Sequence, residues 1–396
     1  MSMISRQNAE ALIREQIVQT IFQDVPKAST FMSLARKLPN MTSNQTRIRV
    51  NDVLPLAYWV NGDNGFKQTS AQAWDNVYLN AGELAVIVPI PEAVLNDAEF
   101  DIFGEVTPRV TEAMGQKVDS AVIFGIDRPA EWQSDIITRA RQAGNNVSCS
   151  GSTDIYTAIL GEGGVFSRVE EWGYDVNGAL SALTMKSKLR GLRTDDGALL
   201  FNQNMQGATQ YALDGQPMYF PKNGAFDNSV AQLIVGDFSQ AVYAIRQDIT
   251  VKILDQGVIQ NPTTKEIVYN LAQQDMIALR VVFRMGWALP NPATRLDADR
   301  IGCPFAYLEP LTPVTTQTVT FTVKDGTGSD ANAIAGAIVD VDGARLKTNA
   351  SGQAVFNLRA GSYGVKVKKD GYKVVTDNVT VANSAVTKAV ALTATT

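Results

Sequence analysis

The sequence predicts an α+β body of two or three packed units followed by a separate all-β sandwich, and three observations carry that expectation. Residues 51–90 read as a long two-stranded arm, residues beyond Asp127 mix helical and strand periodicities, and after "LEPLTPVTTQT" the texture changes to short strands punctuated by Gly, Asn and Asp. With 396 residues, 45% apolar side chains and a formal net charge of −5, the chain is ordinary globular material, too long for one typical domain.

At the N-terminus Leu12, Ile13, Ile17, Ile21 and Phe22 recur at helical spacing, and Ser5 or Asn8 can cap the start of an amphipathic helix. Pro26 and Pro39 bracket a linker-like piece. "TRIRVNDVL" then sets Ile48 and Val50 against Arg47 and Arg49 as a strand. Gly62, Asp63, Asn64 and Gly65 mark the tip of the arm as a turn, because Gly and Asn tolerate positive φ. An arm of about 35 residues has too little core of its own, so its apolar faces need another surface. Tyr58, Trp59, Phe66, Lys67 and Trp74 are the expected inter-subunit contacts.

Thr107-Pro108 reads as a helix entrance, with a capping hydroxyl and a proline placed where its missing N–H costs nothing. Val110, Met114, Val118 and Ala121 share one face of a helix that ends at Phe124-Gly125, roughly 25 Å long at 1.5 Å per residue. "NGALSALTMKSKLRGLRTDDGALLF" reads as a helix ended by a loop at Asp195-Asp196-Gly197, and "LDGQPMYF" as a turn. "AQLIVGDFSQAVYAIRQDITVKIL" reads as strands and "DMIALRVVFRMGWAL" as a strand covered on both faces. From Leu311 the tail holds nine Lys/Arg and six Asp, a balance of +3. The remainder, with 26 basic and 34 acidic residues, stands at −8. "TVTFTVKD", "AIVDVDG", "GQAVFNLRAG", "SYGVKVKKDGY", "NVTVAN" and "AVTKAVALT" predict a β-sandwich over 314–396.

Composition excludes much chemistry. Histidine is absent, which removes Ser-His-Asp triads, histidine metal sites and the commonest general base. Cys149 and Cys303 form neither a CxxC pair nor a disulfide framework and read as buried structural thiols in a reducing compartment. No signal segment and no run of about 18 apolar residues occurs, so the protein is expected to be soluble and intracellular when made. Gly161–Gly164 lacks the Gly-Lys-Ser/Thr ending of a phosphate loop and reads as a flexible loop. Asp340, Asp342 and Gly343 lack the remaining ligands of a calcium loop and read as a β-turn. No catalytic, metal or cofactor residue is assigned.

Several phrases recur in a fixed order: Trp59-Val60, Thr69 to Leu79, Ile87 to Asp97, Phe124-Gly125, Leu189 to Phe201, Leu213 to Met218, Ile234 to Val251 and Leu279 to Ala288. In that order they resemble the major capsid proteins of tailed bacteriophages with the Hong Kong 97-like fold, over residues 1 to about 310. The resemblance implies an N-terminal arm at 1–50, an extended loop at 51–90, a peripheral domain from 91–127 and 237–312, and an axial domain at 128–236. It implies a non-enzymatic protein that joins hexamers and pentamers of itself into an icosahedral shell, with double-stranded DNA on the inner face. Portal and decoration proteins, and a separate scaffolding protein or none, are the other implied partners, with no membrane. The location implied is the virion capsid, assembled in the host bacterial cytoplasm. Lys67 falls where some relatives carry a cross-linking lysine, but with no partner asparagine or glutamate identifiable it reads as an exposed, solvated side chain.

"TNASGQAVFNLRAGSYGVKVKKDGYK", with Tyr363 and Tyr372 in its aromatic places, resembles bacterial immunoglobulin-like domains of the carboxypeptidase-regulatory type. It is expected to be an autonomous, outward-facing domain that the lattice does not require. A cellular nanocompartment shell and a surface adhesin are the alternatives. The phage-like phrases weigh against the first and the missing export signal against the second.

Overall fold

A computed structural model of the chain describes residues 28–60, 66–97, 102–149, 154–192, 211–261, 263–310, 316–326 and 331–395. The expected N-terminal helix, the turn at the arm's tip and the loop at Asp195–Gly197 lie outside the described residues.

Where the sequence suggests a linker before Pro39, the chain forms a short helix, α1 (Thr30–Leu34), and a strand, β1 (Arg36–Lys37). Ser29 caps α1 by accepting from the Met32 N–H, and Phe31 and Met32 are buried. The arm follows as the antiparallel pair β2 (Gln45–Val53) and β3 (Ala73–Asn80), and the chain returns through β4 (Gly82–Pro91) and α2 (Glu92–Asp97) to α3 (Ile102–Phe124).

The long helix α3 corrects the sequence reading. It begins at Ile102, so Pro108 lies inside it and not at its entrance. An internal proline deletes one backbone hydrogen bond, yet Phe103 and Val106 ahead of it pack on the same core as Val110, Met114, Val118 and Ala121, and that packing carries the helix through. The helix ends where predicted. Gly125 adopts φ +72°, its N–H reaches Ala121 O, and the Ile126 N–H reaches back to Ser120 O, a left-handed stop that favours glycine.

Asp119 of α3 pins the preceding segment. Its carboxylate accepts from Ser29 Oγ (2.5 Å), Thr30 N–H (3.0 Å), Phe31 N–H (3.1 Å) and Asn223 Nδ2 (2.8 Å). Burial pushes this carboxyl above the ordinary range, and those four donors offset the effect only in part. One turn earlier, a Cβ on Gly115 would lie 2.7 Å from the Ala28 carbonyl carbon, so only glycine admits this approach. Asp119→Ala leaves Ser29 Oγ and the Thr30 and Phe31 N–H groups without this acceptor and is expected to cost roughly 3 kcal/mol in denaturant unfolding, with faster hydrogen exchange over residues 28–34.

The remainder of the body runs α4 (Ile136–Gln142), β5 (Asn146–Ser148), α5 (Ile155–Leu160), α6 (Val165–Glu170), β6 (Gly178–Ser181), α7 (Met185–Gly191), β7 (Ala212–Leu213), β8 (Gln216–Tyr219), β9 (Leu233–Gly236), β10 (Val242–Leu254), β11 (Val258–Gln260), β12 (Ile267–Asn270), β13 (Met276–Ala288) and β14 (Phe305–Glu309). One sheet has the order β1-β10-β13-β4, built on the long antiparallel pair β10 and β13. Leu279, Val281, Phe283, Met285 and Trp287 of β13 join the apolar face of α3 in one core. A second sheet has the order β5-β14-β9-β6-β8-β7. Ile234, Phe305 and Tyr307 enter the α3 core, while Leu233, Val235, Ala306 and Leu308 pack with Ile159, Phe166 and Val169 of α5 and α6. Cover on both faces explains why β9 and β14 up to Leu308 are unbroken apolar runs.

The C-terminal segment forms β15 (Gln317–Lys324), β16 (Ile338–Val341), β17 (Ala344–Lys347), β18 (Gln353–Leu358), β19 (Gly361–Lys368), β20 (Val375–Val381) and β21 (Val386–Ala391). They make two sheets, β18-β15-β21 and β17-β16-β19-β20, closed around Val319, Phe321, Val339, Phe356, Val365 and Val379. Asp342-Gly343 (φ +49° and +95°) is the two-residue turn joining β16 to β17. The sandwich has its own core and also sits firmly on the body. Among the described residues four ion pairs cross between them: Arg128–Asp342, Arg345–Asp75, Lys347–Asp299 and Lys368–Asp52. Arg359 Nη1 donates to Phe124 O at the end of α3, and Gln142 Nε2 of α4 to Asn357 O.

Candidate subunit interface: the arm and its root

The arm divides into a buried root and an uncovered reach. At the root, β2 and β3 pair from Gln45↔Asn80 to Asn51↔Trp74, and Val50, Val77 and Leu79 pack with Met41, Val242, Ala244 and Ala288 of the body. Alternation with period two produces this face, so Ile48 and Val50 turn inward and Arg47 and Arg49 outward, as the sequence predicts. Beyond Val53 the side chains lose their cover. Trp59 is 100% and Phe66 96% exposed, and Leu56, Tyr58 and Val60 are also exposed.

Lys67 is exposed as expected, beside Phe66. Trp74 is exposed too, at 64%, but in a different setting. It lies in β3, within the paired root, and borders a cavity of about 220 Å³ whose other walls include Ile338, Lys368 and Val374 of the sandwich. The five residues expected to contact a neighbour therefore fall into two places: Tyr58, Trp59, Phe66 and Lys67 on the reach, and Trp74 at its root.

Two features escaped sequence reasoning. The hairpin β11–β12 exposes Val258, Ile267, Val268 and Tyr269, a second uncovered apolar surface. Its signal was present in "VIQNPTTKEIVYN", two short alternating runs around a turn that Asn261 closes by accepting from the Thr263 and Thr264 N–H groups. The second is a charge cluster at the arm's root. Arg300 Nη1 donates to Asp52 Oδ1 (3.2 Å) and Asp75 Oδ2 (3.0 Å), Arg345 bonds both Asp75 (3.3 Å) and Asp340 (2.8 Å), and Lys368 bonds Asp52 (3.0 Å).

Burial alone would raise the carboxyls of Asp52 and Asp75. Hydrogen bonds and positive charge from Lys368 and Arg300 at Asp52, and from the Asn76 N–H, Lys366, Arg300 and Arg345 at Asp75, outweigh it and hold both below the ordinary carboxylate range. Asp342 moves the opposite way, because its burial exceeds the pull of Arg128. A carboxyl held low contributes stability that is lost only as pH falls through its folded value, whereas one held high forfeits none on acidification. Seating of the sandwich is therefore expected to survive from pH 7 to about pH 4 and to loosen below it. Oxidative footprinting of Trp74 and Val374 along a pH series measures this, and loosening between pH 7 and pH 5 would contradict it.

Cys149 and Cys303 are free, and burial pushes the Cys303 thiol up to about 11 although Arg139 pulls the other way, so it is inert as a nucleophile at neutral pH. Cys149 is only partly buried, less than the sequence suggests. Gly161–Gly164 is the tight turn between α5 and α6.

A folded body from which a rooted arm carries uncovered aromatic side chains offers apolar surface to a partner. The sequence profile of the phage capsid family matches residues 9–294. The major capsid protein of Staphylococcus phage 80alpha is 25% identical over 286 residues, which covers 72% of this chain and 83% of that protein. A solved chain of Mycobacterium phage Cain superposes with a TM-score of 0.63 at 32% identity, covering 78% of this chain and 99% of that one. A chain of Microbacterium phage Oxtober96 gives 0.62 at 32% identity, covering 71% and 91%. The chain belongs to the phage capsid family.

Its function is that of a phage major capsid protein, a self-associating subunit of a shell, and its place is the virion capsid. The fold is of the phage capsid type, mixed α and β with strands predominating, and the relatives point to a structural, non-enzymatic role. The sandwich lies beyond the residues matched by the family profile.

Proposed function

We propose that the chain has the Hong Kong 97-like capsid fold and closes, as hexamers and pentamers, an icosahedral shell around the double-stranded DNA of a tailed phage. In this reading 1–50 is the N-terminal arm, 51–90 the extended loop, 91–127 with 237–312 the peripheral domain and 128–236 the axial domain. Residues 314–396 are an immunoglobulin-like domain on the outer face. The single observation that carries the reading is the exposure of Trp59 and Phe66 at the far end of an arm whose root is buried. Monomeric proteins rarely leave such apolar surface uncovered, and each subunit of a closed shell meets several neighbours, so modest pairwise contacts sum to a stable particle. Tyr58 and Lys67 join those contacts on the reach, and Trp74, 64% exposed, joins them at the root.

Assembly takes place in the host bacterial cytoplasm. Scaffolding, portal and decoration proteins are the further partners of the shell. Electron microscopy of the protein expressed alone tests the reading. Closed particles or capsomers are expected, and a protein that stays monomeric at high concentration with the arm intact would overturn it.

A further inference from the structure

We propose that the C-terminal sandwich is a strut that fixes the direction in which the arm leaves the subunit, acting through Lys368 and Arg345 on the two aspartates at the arm's root. Three observations place the strut. First, Asn51 pairs with Trp74 and Val53 with Ala73, so Asp52 is the extra residue of a β-bulge. A bulge bends and re-aims its strand, and this one stands where the paired root gives way to the uncovered reach.

Second, the bulged residue is held from both sides. Arg300 reaches Asp52 from the body and Lys368 Nζ reaches both of its carboxylate oxygens from the sandwich, at 3.1 and 3.0 Å. On the facing strand Asp75, which pairs with Val50, is shared between Arg300 and Arg345. Third, the sandwich is itself anchored away from the arm, by Arg359 on Phe124 O at the end of α3 and by Arg128 on Asp342. It can therefore transmit the position of the long helix to the arm. The contact is polar, with a cavity of about 220 Å³ left between Trp74 and Val374, so charge and not apolar packing holds it.

The strut stands on the geometry of the single subunit. Its consequence, that the sandwich helps set the angle at which neighbours are met, rests on the reading of the arm as a subunit contact. Hydrogen exchange read by mass spectrometry on the full chain, kept below its assembly concentration, tests it. In Lys368→Glu, exchange over residues 45–53 and 73–80 is expected to rise roughly tenfold while β10 and β13 keep their protection. Lys388→Glu, which reverses a charge paired with Asp377 within the sandwich, is expected to leave the arm unchanged.

Unchanged exchange at the arm's root in Lys368→Glu overturns the strut. So does loss of protection in the sandwich with the root unaltered, since a strut whose collapse leaves the arm in place is none. An equal rise in Lys388→Glu also overturns it. If the unaltered protein formed no particles, the reading of the arm as a subunit contact would fall, and the exchange result would stand independently.

Discussion

Removing Tyr58–Thr69 from the arm is expected to abolish particle formation while leaving a folded subunit of unchanged melting temperature. The deleted piece holds Trp59 and Phe66, which touch little of their own chain, whereas the root keeps Val50, Val77 and Leu79 in the body. Covering one such aromatic side chain removes about 200 Å² from water, worth roughly 5 kcal/mol at 25 cal/mol per Å² as an upper figure. Losing that much per contact weakens pairwise association by more than three powers of ten, at every contact of a closed shell. The deletion stops at Thr69 for a structural reason. Trp74, Asp75 and Asn76 belong to β3, and removing Asp75 would strip Arg300 and Arg345 of a shared partner and unfold the root. Ser70 must remain because its hydroxyl accepts from the Leu56 N–H at 2.7 Å, which also shows that the two cut ends are close enough to join. Sedimentation, negative-stain microscopy and a thermal melt of the same sample decide the matter. Particles of wild-type size would count against the arm as the contact.

What was legible in the sequence follows from how local its causes are. The apolar face of α3, the strand β13 and the stop at Phe124-Gly125 are written in spacing and turn residues, and all three are present. The spacing over Gly178–Ser181 predicts the start of a helix, yet these residues form β6, buried in the second sheet between β9 and β8. Gly, Ala, Leu and Ser carry little intrinsic strand preference, so neighbours that occur elsewhere in the chain decide their state. The same applies to Pro108, whose local signal for a helix start is overridden by the packing of Phe103 and Val106.

The candidate contact surface was half legible. Its apolar reach stood out because Trp and Phe far from any periodic core are conspicuous, and the arm's pairing follows from alternation. The charge cluster at its root was not, because Asp52 and Lys368 are 316 residues apart and each looks like any solvated side chain until the fold brings them together. Sequence did register the trend, a tail of +3 on a body of −8, but a net charge cannot say which carboxylate meets which amine. Trp74 shows the same limit. It is exposed, as its type suggests, and only the strand register shows that it stands at the root beside the sandwich.

Arg300→Ala is expected to cost the folded subunit about 3 to 5 kcal/mol, the largest loss from any single substitution in the charge cluster. Its side chain is only 2% exposed, and every part of the guanidinium is used. Nη1 serves Asp52 and Asp75, Nε donates to Asn291 O at 2.7 Å, and Nη2 donates to Pro290 O at 3.0 Å. The backbone is also committed, because Arg300 sits at φ +60°, a conformation rare for a non-glycine residue and sustained by the contacts around it. Truncation leaves the buried Asn291 carbonyl and the part-buried Pro290 carbonyl without this donor and two carboxylates short of positive charge. Lys368 and Arg345 remain on those carboxylates, which places the expected cost toward the lower figure. Arg300→Lys is expected to recover little, since a single ammonium cannot span two carboxylates and two carbonyls in one plane. Lys347→Ala is the matched control. Its pair with Asp299 is more than 40% exposed on both sides and should be worth about 0 to 1 kcal/mol. Urea unfolding of the three variants separates these cases. A loss below about 1 kcal/mol in Arg300→Ala would mean that solvent already screens the cluster, and that the arm's root is held by the apolar face of β2 and β3 alone.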